Sequence, residues 1–270
     1  MTSLARRLAR PELLALPPLD MPAPHDRADL IKLDANESGY PPLLDGPLAE
    51  RINRYPEPQP RALRATMAAL YGVAPEQLVI TRGADDAIDL LVRAFCRPAI
   101  DAVAITPPTF AAYAESAVLQ GARLLECSLD DDFGFDADAF LGETAADPSL
   151  KLVFLCSPNN PTGAVIDPAT VLRVAHALPD TIVVLDEAYI EFADVESVAS
   201  AAAIRPNLVV LRTLSKAWGL AGARIGCAIG DRSIVSLLER LLPAYPLASL
   251  SIEQRDDGAI ANRTADPRAS

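Results

Sequence analysis

Apolar residues follow two alternating patterns along the chain. Short unbroken runs predict buried strands at 78–81, 103–106, 123–129, 151–156, 181–185, 208–211 and 224–229. Between them, apolar residues spaced three or four apart predict helices over 61–71, closed by Gly72, and over 111–120, 136–141 and 168–178. A further helix opens at Asp85 and places Ile88, Leu91, Val92 and Phe95 on one face. Strands apolar on both faces, alternating with helices, mark a mainly parallel sheet covered on both sides. The expected fold class is α/β, a three-layer α/β/α arrangement around a mainly parallel seven-stranded sheet. Ligands of such sheets bind beyond the carboxyl ends of the strands. The polar clusters at 82–86, 107–110, 157–163, 186–189 and 213–224 all fall at predicted strand ends.

The pattern also divides the chain. Residues 1–60 are rich in proline, including Pro17-Pro18, Pro41-Pro42, Pro56, Pro58 and Pro60. Each proline fixes its own φ and disfavours helix in the residue before it. An irregular extended arm is expected there, ordered by lying on the rest of the molecule, with a polar island at Leu33-Asp34-Ala35-Asn36-Glu37-Ser38. Residues 61–247 form the main domain. Residues 248–270 are polar and Ala-rich without an apolar period, which is expected of a disordered tail, a truncation or an altered reading frame.

Composition narrows the function classes. Half of the 270 residues are hydrophobic, which supports a substantial core. The net charge of -12 leaves no basic stripe for nucleic acid. No apolar stretch reaches the length of a membrane span, and the N-terminal segment lacks a signal-peptide core. A soluble, cytoplasmic protein is expected. Cys96, Cys127, Cys156 and Cys227 are widely spaced and flanked by apolar residues, as buried reduced thiols are. With His25 and His176 as its two histidines, the chain has no metal-ligand pattern and no metal is expected.

Candidate chemistry centres on Lys216, one of three lysines, in a hydroxyl- and Gly-rich loop after a strand. By itself this amine fits a solvated loop as well as a reactive site. Asp186 ends a run of apolar residues, so its carboxylate must find hydrogen bonds or a positive partner. The strand, Gly83 turn and helix start at Ala84 and Asp85 form a potential anion cradle, although Asp85 and Asp86 can equally cap the helix themselves. An amine, a strand-end acid, Tyr189, Arg224, an Asn in a Pro-flanked turn and a phosphate cradle together match the needs of pyridoxal phosphate.

These residues also carry a resemblance. Ser157-Pro158-Asn159-Asn160-Pro161-Thr162-Gly163, Asp186-Glu187-Ala188-Tyr189 and the stretch from Thr213-Leu214-Ser215-Lys216 to Arg224 resemble the class I/II, fold-type I aminotransferases. Leu33-Asp34-Ala35-Asn36-Glu37, Arg54-Tyr55-Pro56, Pro108-Thr109-Phe110 and Glu191-Phe192 narrow the resemblance to the branch of that family acting on histidinol phosphate in histidine biosynthesis. It runs from about residue 30 to about 247. It implies that Lys216 binds the cofactor covalently and moves the substrate proton, and that Asp186 pairs with the pyridine nitrogen. Asn160 and Tyr189 would bond the phenolic oxygen, and Phe110 would stack on the ring. Ala84, Asp85, Thr213, Ser215 and Arg224 would hold the phosphate, joined by Tyr55 from the neighbouring subunit of a homodimer. The implied reaction moves an amino group from histidinol phosphate to 2-oxoglutarate, giving imidazole-acetol phosphate and glutamate. The tail offers no residue for clamping the substrate carboxylate. Three other readings stay open: an aromatic aminotransferase, a phospho-amino-acid decarboxylase on the same fold, and a catalytically dead cofactor-binding remnant. Phe110 as plain core, Tyr55 as a proline-packed aromatic and Asn160 as a turn cap are the corresponding local alternatives.

Overall fold

The computed structural model describes residues 2–17, 35–40 and 52–253. Leu33, Asp34 and residues 254–270 of the tail expected over 248–270 lie outside them. Seven strands form one sheet: β1 (Leu78–Thr81), β2 (Ala102–Ile105), β3 (Arg123–Glu126), β4 (Leu150–Cys156), β5 (Ile182–Asp186), β6 (Leu208–Thr213) and β7 (Gly226–Gly230). Their spatial order is β1-β7-β6-β5-β4-β2-β3. All pairings from β3 across to β6 are parallel, and β7 runs antiparallel to both β6 and β1. The parallel majority has a local cause: each crossover carries a helix or a long loop, too long for a hairpin.

The helices are α1 (Leu4–Leu8), α2 (Pro11–Ala15), α3 (Arg61–Tyr71), α4 (Ala84–Phe95), α5 (Ala112–Gln120), α6 (Ala137–Thr144), α7 (Pro168–Ala177), α8 (Ala199–Ala202), α9 (Arg232–Glu239) and α10 (Ser249–Glu253). The last corrects the expectation of disorder at the start of the 248–270 tail, because Ile252 finds apolar partners in the core. Successive strand residues point to opposite faces, and both faces are buried. On one side Ile80, Val153, Val183 and Val210 pack with Leu63 and Met67 of α3 and Val171 and Val174 of α7. On the other, Val79, Val103, Phe154, Val184 and Val209 pack with α4, α5 and α9. Ile88, Leu91, Val92 and Phe95 of α4 are fully buried, each contributing about 1.5–3 kcal/mol relative to exposure. Gly72 closes α3 in the left-handed conformation at φ 66°. The four cysteines are buried and unbridged. Among the described residues, no helix is long and apolar enough to cross a membrane.

The expectation of an irregular arm over residues 1–60 needs correction at its start. α1 and α2 are helical and bury Ala5, Leu8, Ala9 and Leu13 against the α4 side of the sheet. Ser3 caps α1, and Pro11 opens α2 at a position where its missing N–H costs nothing. The strand at 123–129 ends early, at Glu126. The strand expected from Arg224 starts at Gly226, because Arg224 itself adopts φ 51°.

One close approach joins β1, α4 and β7. A Cβ on Gly226 would lie 2.5 Å from the carbonyl carbon of Gly83 and 2.7 Å from the nitrogen of Ala84. Gly83 itself sits at φ 84°. The start of β7 therefore touches the backbone at the α4 N-terminus. Gly226→Ala is expected to destabilise the fold by about 1–3 kcal/mol, the usual cost of overpacking. Urea unfolding monitored by circular dichroism measures this, and an unchanged midpoint would refute the contact.

Candidate active site

The carboxyl ends of β4, β5 and β6, the start of β7 and the N-terminus of α4 surround one cavity of about 130 Å³. Ala84, Asp85, Phe110, Asn160, Asp186, Tyr189, Thr213, Ser215, Lys216 and Arg224 line it. The structure thus brings together ten of the eleven predicted site residues. Cys156 and Ala188 line it as well, and neither stood out in the sequence.

Asp186 ends β5 and is 3% exposed. Its Oδ1 accepts the Ala188 N–H at 3.0 Å and its Oδ2 accepts the Tyr113 hydroxyl at 2.7 Å. Neither donor is a cation. Burial pushes this carboxyl up to about 6; the two hydrogen bonds oppose that rise, and the charges of Asp85 and Glu187 add to it. Tyr113 is a fully buried residue of α5 that the sequence pattern did not single out. The acid it meets is 73 positions away in the chain.

Arg224 gathers the opposite wall. Its left-handed backbone conformation sends the guanidinium back over the α4 N-terminus, where Nη2 lies 3.2 Å from Asp85 Oδ2 and 3.4 Å from the Arg82 carbonyl oxygen. Nη1 lies 3.5 Å from Ser215 Oγ. Asp86 accepts the Arg82 N–H at 3.0 Å, one residue before the Gly83 N-cap, while Asp85 lines the cavity. Thr213 Oγ1 accepts the Ser215 N–H at 3.1 Å, which folds the hydroxyl loop back on the end of β6. Arg224, two hydroxyls and the first N–H groups of a helix make a cradle suited to a phosphate. Lys216 is exposed within this loop, its Nζ 5.2 Å from the centre of the Tyr189 ring.

Asn159 and Asn160 divide their duties. Asn159 is buried and ties the turn together through the Pro108 carbonyl, Thr109 and Thr162. The turn-cap alternative considered for Asn160 thus belongs to its neighbour. Phe110 meets Tyr113 edge to face, with centroids 5.6 Å apart.

Tyr55 lies outside the cavity. It is half exposed and stacks on Tyr245 at 4.1 Å with 9° between the planes. Its N–H donates to Glu37 Oε1 at 2.7 Å, and Glu37 Oε2 pairs with Arg54 at 3.0 Å. The polar island around Glu37 and the Arg54-Tyr55-Pro56 stretch are therefore one local unit.

A second group of residues holds the active loops from behind. Arg212 on β6 donates to Glu187 at 3.1 Å and to Glu191 at 2.6 Å, and all three side chains are at most 8% exposed. Trp218, two residues past Lys216, donates to the same Glu191 oxygen at 3.2 Å. Glu187 also accepts from Ser197 and from the Val198 N–H. The loop after β5 and the loop after β6 are thus clasped by one guanidinium. An arginine between Leu211 and Thr213 in a buried strand was the available signal, since a buried charge has to be paired.

The buried acid gives a pH signature. Its folded value, about 6, lies above the ordinary 3.8. Its contribution is most favourable below the lower value and is lost as pH rises through the upper one. Asp186→Asn, nearly isosteric, is expected to gain on the wild type by about 3 kcal/mol between these limits and to level off above them. Urea unfolding of both proteins without cofactor at several pH values tests it; a pH-independent difference would contradict a desolvated carboxylate.

Comparison with known proteins bears on the family and the fold. The family model for aminotransferase class I and II matches residues 29–254. A histidinol-phosphate aminotransferase of Xylella fastidiosa (strain 9a5c) is 49% identical over 247 residues, covering 88% of this chain and 67% of that protein. One from Shewanella oneidensis is 46% identical over 246 residues, covering 91% and 62%. Among solved structures, histidinol-phosphate aminotransferase of Sinorhizobium meliloti in complex with pyridoxal-5'-phosphate superposes with a TM-score of 0.72 at 27% identity, over 86% of this chain and 63% of that one. The L-threonine-O-3-phosphate decarboxylase of Porphyromonas gingivalis gives 0.66 at 27%, over 80% and 65%. The chain thus spans roughly two thirds of the length of these proteins.

Proposed function

The chain belongs to the aminotransferase class I and II family, and from that premise we propose that it binds pyridoxal phosphate in the described cavity and serves the transfer of an amino group from histidinol phosphate to 2-oxoglutarate. The observation that carries the reading is Asp186, a buried carboxylate at a cavity wall whose two hydrogen-bond donors are both neutral. A protonated ring nitrogen supplies the positive partner that such a group lacks. The rest of the cavity fits the same molecule: an apolar side formed by Phe110, Cys156 and Ala188, and an anion cradle at the α4 N-terminus.

Bound there, pyridoxal phosphate supplies an electron sink for charge developing at the substrate Cα. The residues do the rest. Arg224, Ser215 and Thr213, with the N–H groups of Ala84 and Asp85, bind and orient the phosphate. Phe110 covers one face of the ring and keeps water from it. Asn160 and Tyr189 hydrogen-bond the phenolic oxygen. Asp186 holds the proton on the ring nitrogen. Lys216, the amine of the cavity, would hold the cofactor through its Nζ and, when free, would move the proton at the substrate Cα as a general base. Tyr55 lies on the surface beside Tyr245, which supports a role toward the phosphate of a second subunit and so a homodimer. Decarboxylation of a phospho-amino acid is the second reading, favoured by the likeness to the Porphyromonas gingivalis enzyme.

The residues assigned to the cofactor lie wholly within the described part of the chain, so its binding is the first thing to test. Titration of the protein with pyridoxal phosphate is expected to give a visible absorption band at neutral pH that is lost in Lys216→Ala. Arg224→Ala is expected to keep the band and weaken affinity about 10–100-fold, the range for losing a charge-assisted hydrogen-bond set. A wild-type protein without the band would overturn the cofactor reading. Histidinol phosphate is expected to change the band and release imidazole-acetol phosphate, whereas release of carbon dioxide from a phospho-amino acid would favour the second reading.

A further inference from the structure

Tyr113 stands between the acid and the aromatic wall of the cavity. Its hydroxyl donates to Asp186 Oδ2 at 2.7 Å. One face of its ring stacks on Phe154 at 4.9 Å with 5° between the planes. Phe110 meets it at 5.6 Å and 87°. Resting on the cofactor reading above, we propose that Tyr113 is a positioning residue, which acts through Asp186 to keep that acid ionised and aimed at a ring nitrogen and through Phe110 to set the plane of the ring.

The geometry carries this in three steps. Asp186 has one donor on each oxygen, Ala188 N–H on Oδ1 and Tyr113 O–H on Oδ2. Two donors on opposite oxygens fix the carboxylate plane, and each favours the ionised form. Next, the packing of Tyr113 needs only a ring. A phenylalanine would stack on Phe154 equally well, and a buried hydroxyl is costly unless it is paired. The hydroxyl spends that cost on the acid. Finally, burial, followed by the Asp186 charge, pushes the Tyr113 hydroxyl well above its ordinary range, so it remains a donor at working pH.

The other ionisable groups near Asp186 are few. Cys156 faces it from β4 and Glu187 follows it on β5. Asp85 and Arg224 lie at the α4 rim of the cavity, and Lys216 and Tyr189 line the wall with it. Burial and the Asp186 charge push the Cys156 thiol up to about 12, so it stays neutral. Tyr113 is the group that contacts the acid through a side-chain hydrogen bond.

The experiment uses Tyr113→Phe, Tyr113→Leu, Asp186→Asn and the double variant Tyr113→Phe/Asp186→Asn. Two readouts are taken: pyridoxal phosphate affinity against pH, and the pH midpoint of the stability change of the cofactor-free protein. Tyr113→Phe keeps the ring and is expected to weaken affinity about tenfold at neutral pH, as for loss of one hydrogen bond to a charge. It should also move the stability midpoint upward by about one pH unit. In the Asp186→Asn background it should cost little more. Tyr113→Leu should lose affinity beyond Tyr113→Phe, because Phe110 then lacks its edge contact. Equal losses in both backgrounds with an unmoved pH midpoint would reduce Tyr113 to a core residue and overturn the proposal. If the wild type binds no cofactor, the cofactor reading fails, while the pH midpoint of Tyr113→Phe still decides whether Tyr113 acts on Asp186.

Discussion

A carboxylate held out of water at the end of the central strand is the constraint around which the cavity is built. Desolvation of Asp186 opposes its ionisation, and two neutral donors offset part of that cost. The position follows from the sheet. β5 is flanked by β4 and β6, whose carboxyl ends bring Cys156 and Thr213 to the same edge. β7 runs the other way, so its start arrives at that edge too, carrying Arg224 with it. With Phe110 after β2 and the start of α4, six segments meet at one mouth of the sheet, and the acid lies at its buried base.

The Arg212 clasp works on the other side of the same loops. Taking one guanidinium and two carboxylates out of water costs several kcal/mol per ion before their attraction repays it. A buried pair of this kind contributes geometry more dependably than stability. Here it ties the Glu187–Glu191 turn to β6 and, through Trp218, to the Lys216 loop. Asp186 and Glu187 are neighbours in sequence with opposite duties, the first at the cavity and the second in the clasp. Lys216 can stay exposed because the backbone beneath it is held in place.

Close backbone packing supplies the remaining piece. Gly226 lets β7 lie against Gly83 and Ala84, and this brings Arg224 within reach of the α4 N-terminus. The anion cradle depends on that contact as much as on the arginine.

Much of this was legible from residue order. All seven strands and five helices, over 61–71, 84–95, 112–120, 137–144 and 168–177, followed from apolar periodicity, because strands buried on both faces leave unbroken apolar runs. The helices at 199–202, 232–239 and 249–253 were not foreseen. Ten of the cavity residues were legible because the ends of such strands are where polar residues have to be explained. The helices at 4–8 and 11–15 were hidden among prolines, since segments of five residues have too few positions to show a period. Three matters were left to tertiary structure. Tyr113 as the partner of Asp186 required α5, packed beside β2 and β3, to bring its ring to the end of β5, a contact across 73 residues that no local pattern encodes. The division of labour between Asn159 and Asn160 and between Asp85 and Asp86 required knowing which way each side chain turns. The strand order, with β7 inserted antiparallel between β1 and β6, depends on pairing between segments that no single stretch encodes. Sequence determined which segments are strands and where chemistry can lie, because periodicity and strand ends are local. Only the packed sheet decided which groups touch, because contact depends on pairing between segments distant in the chain.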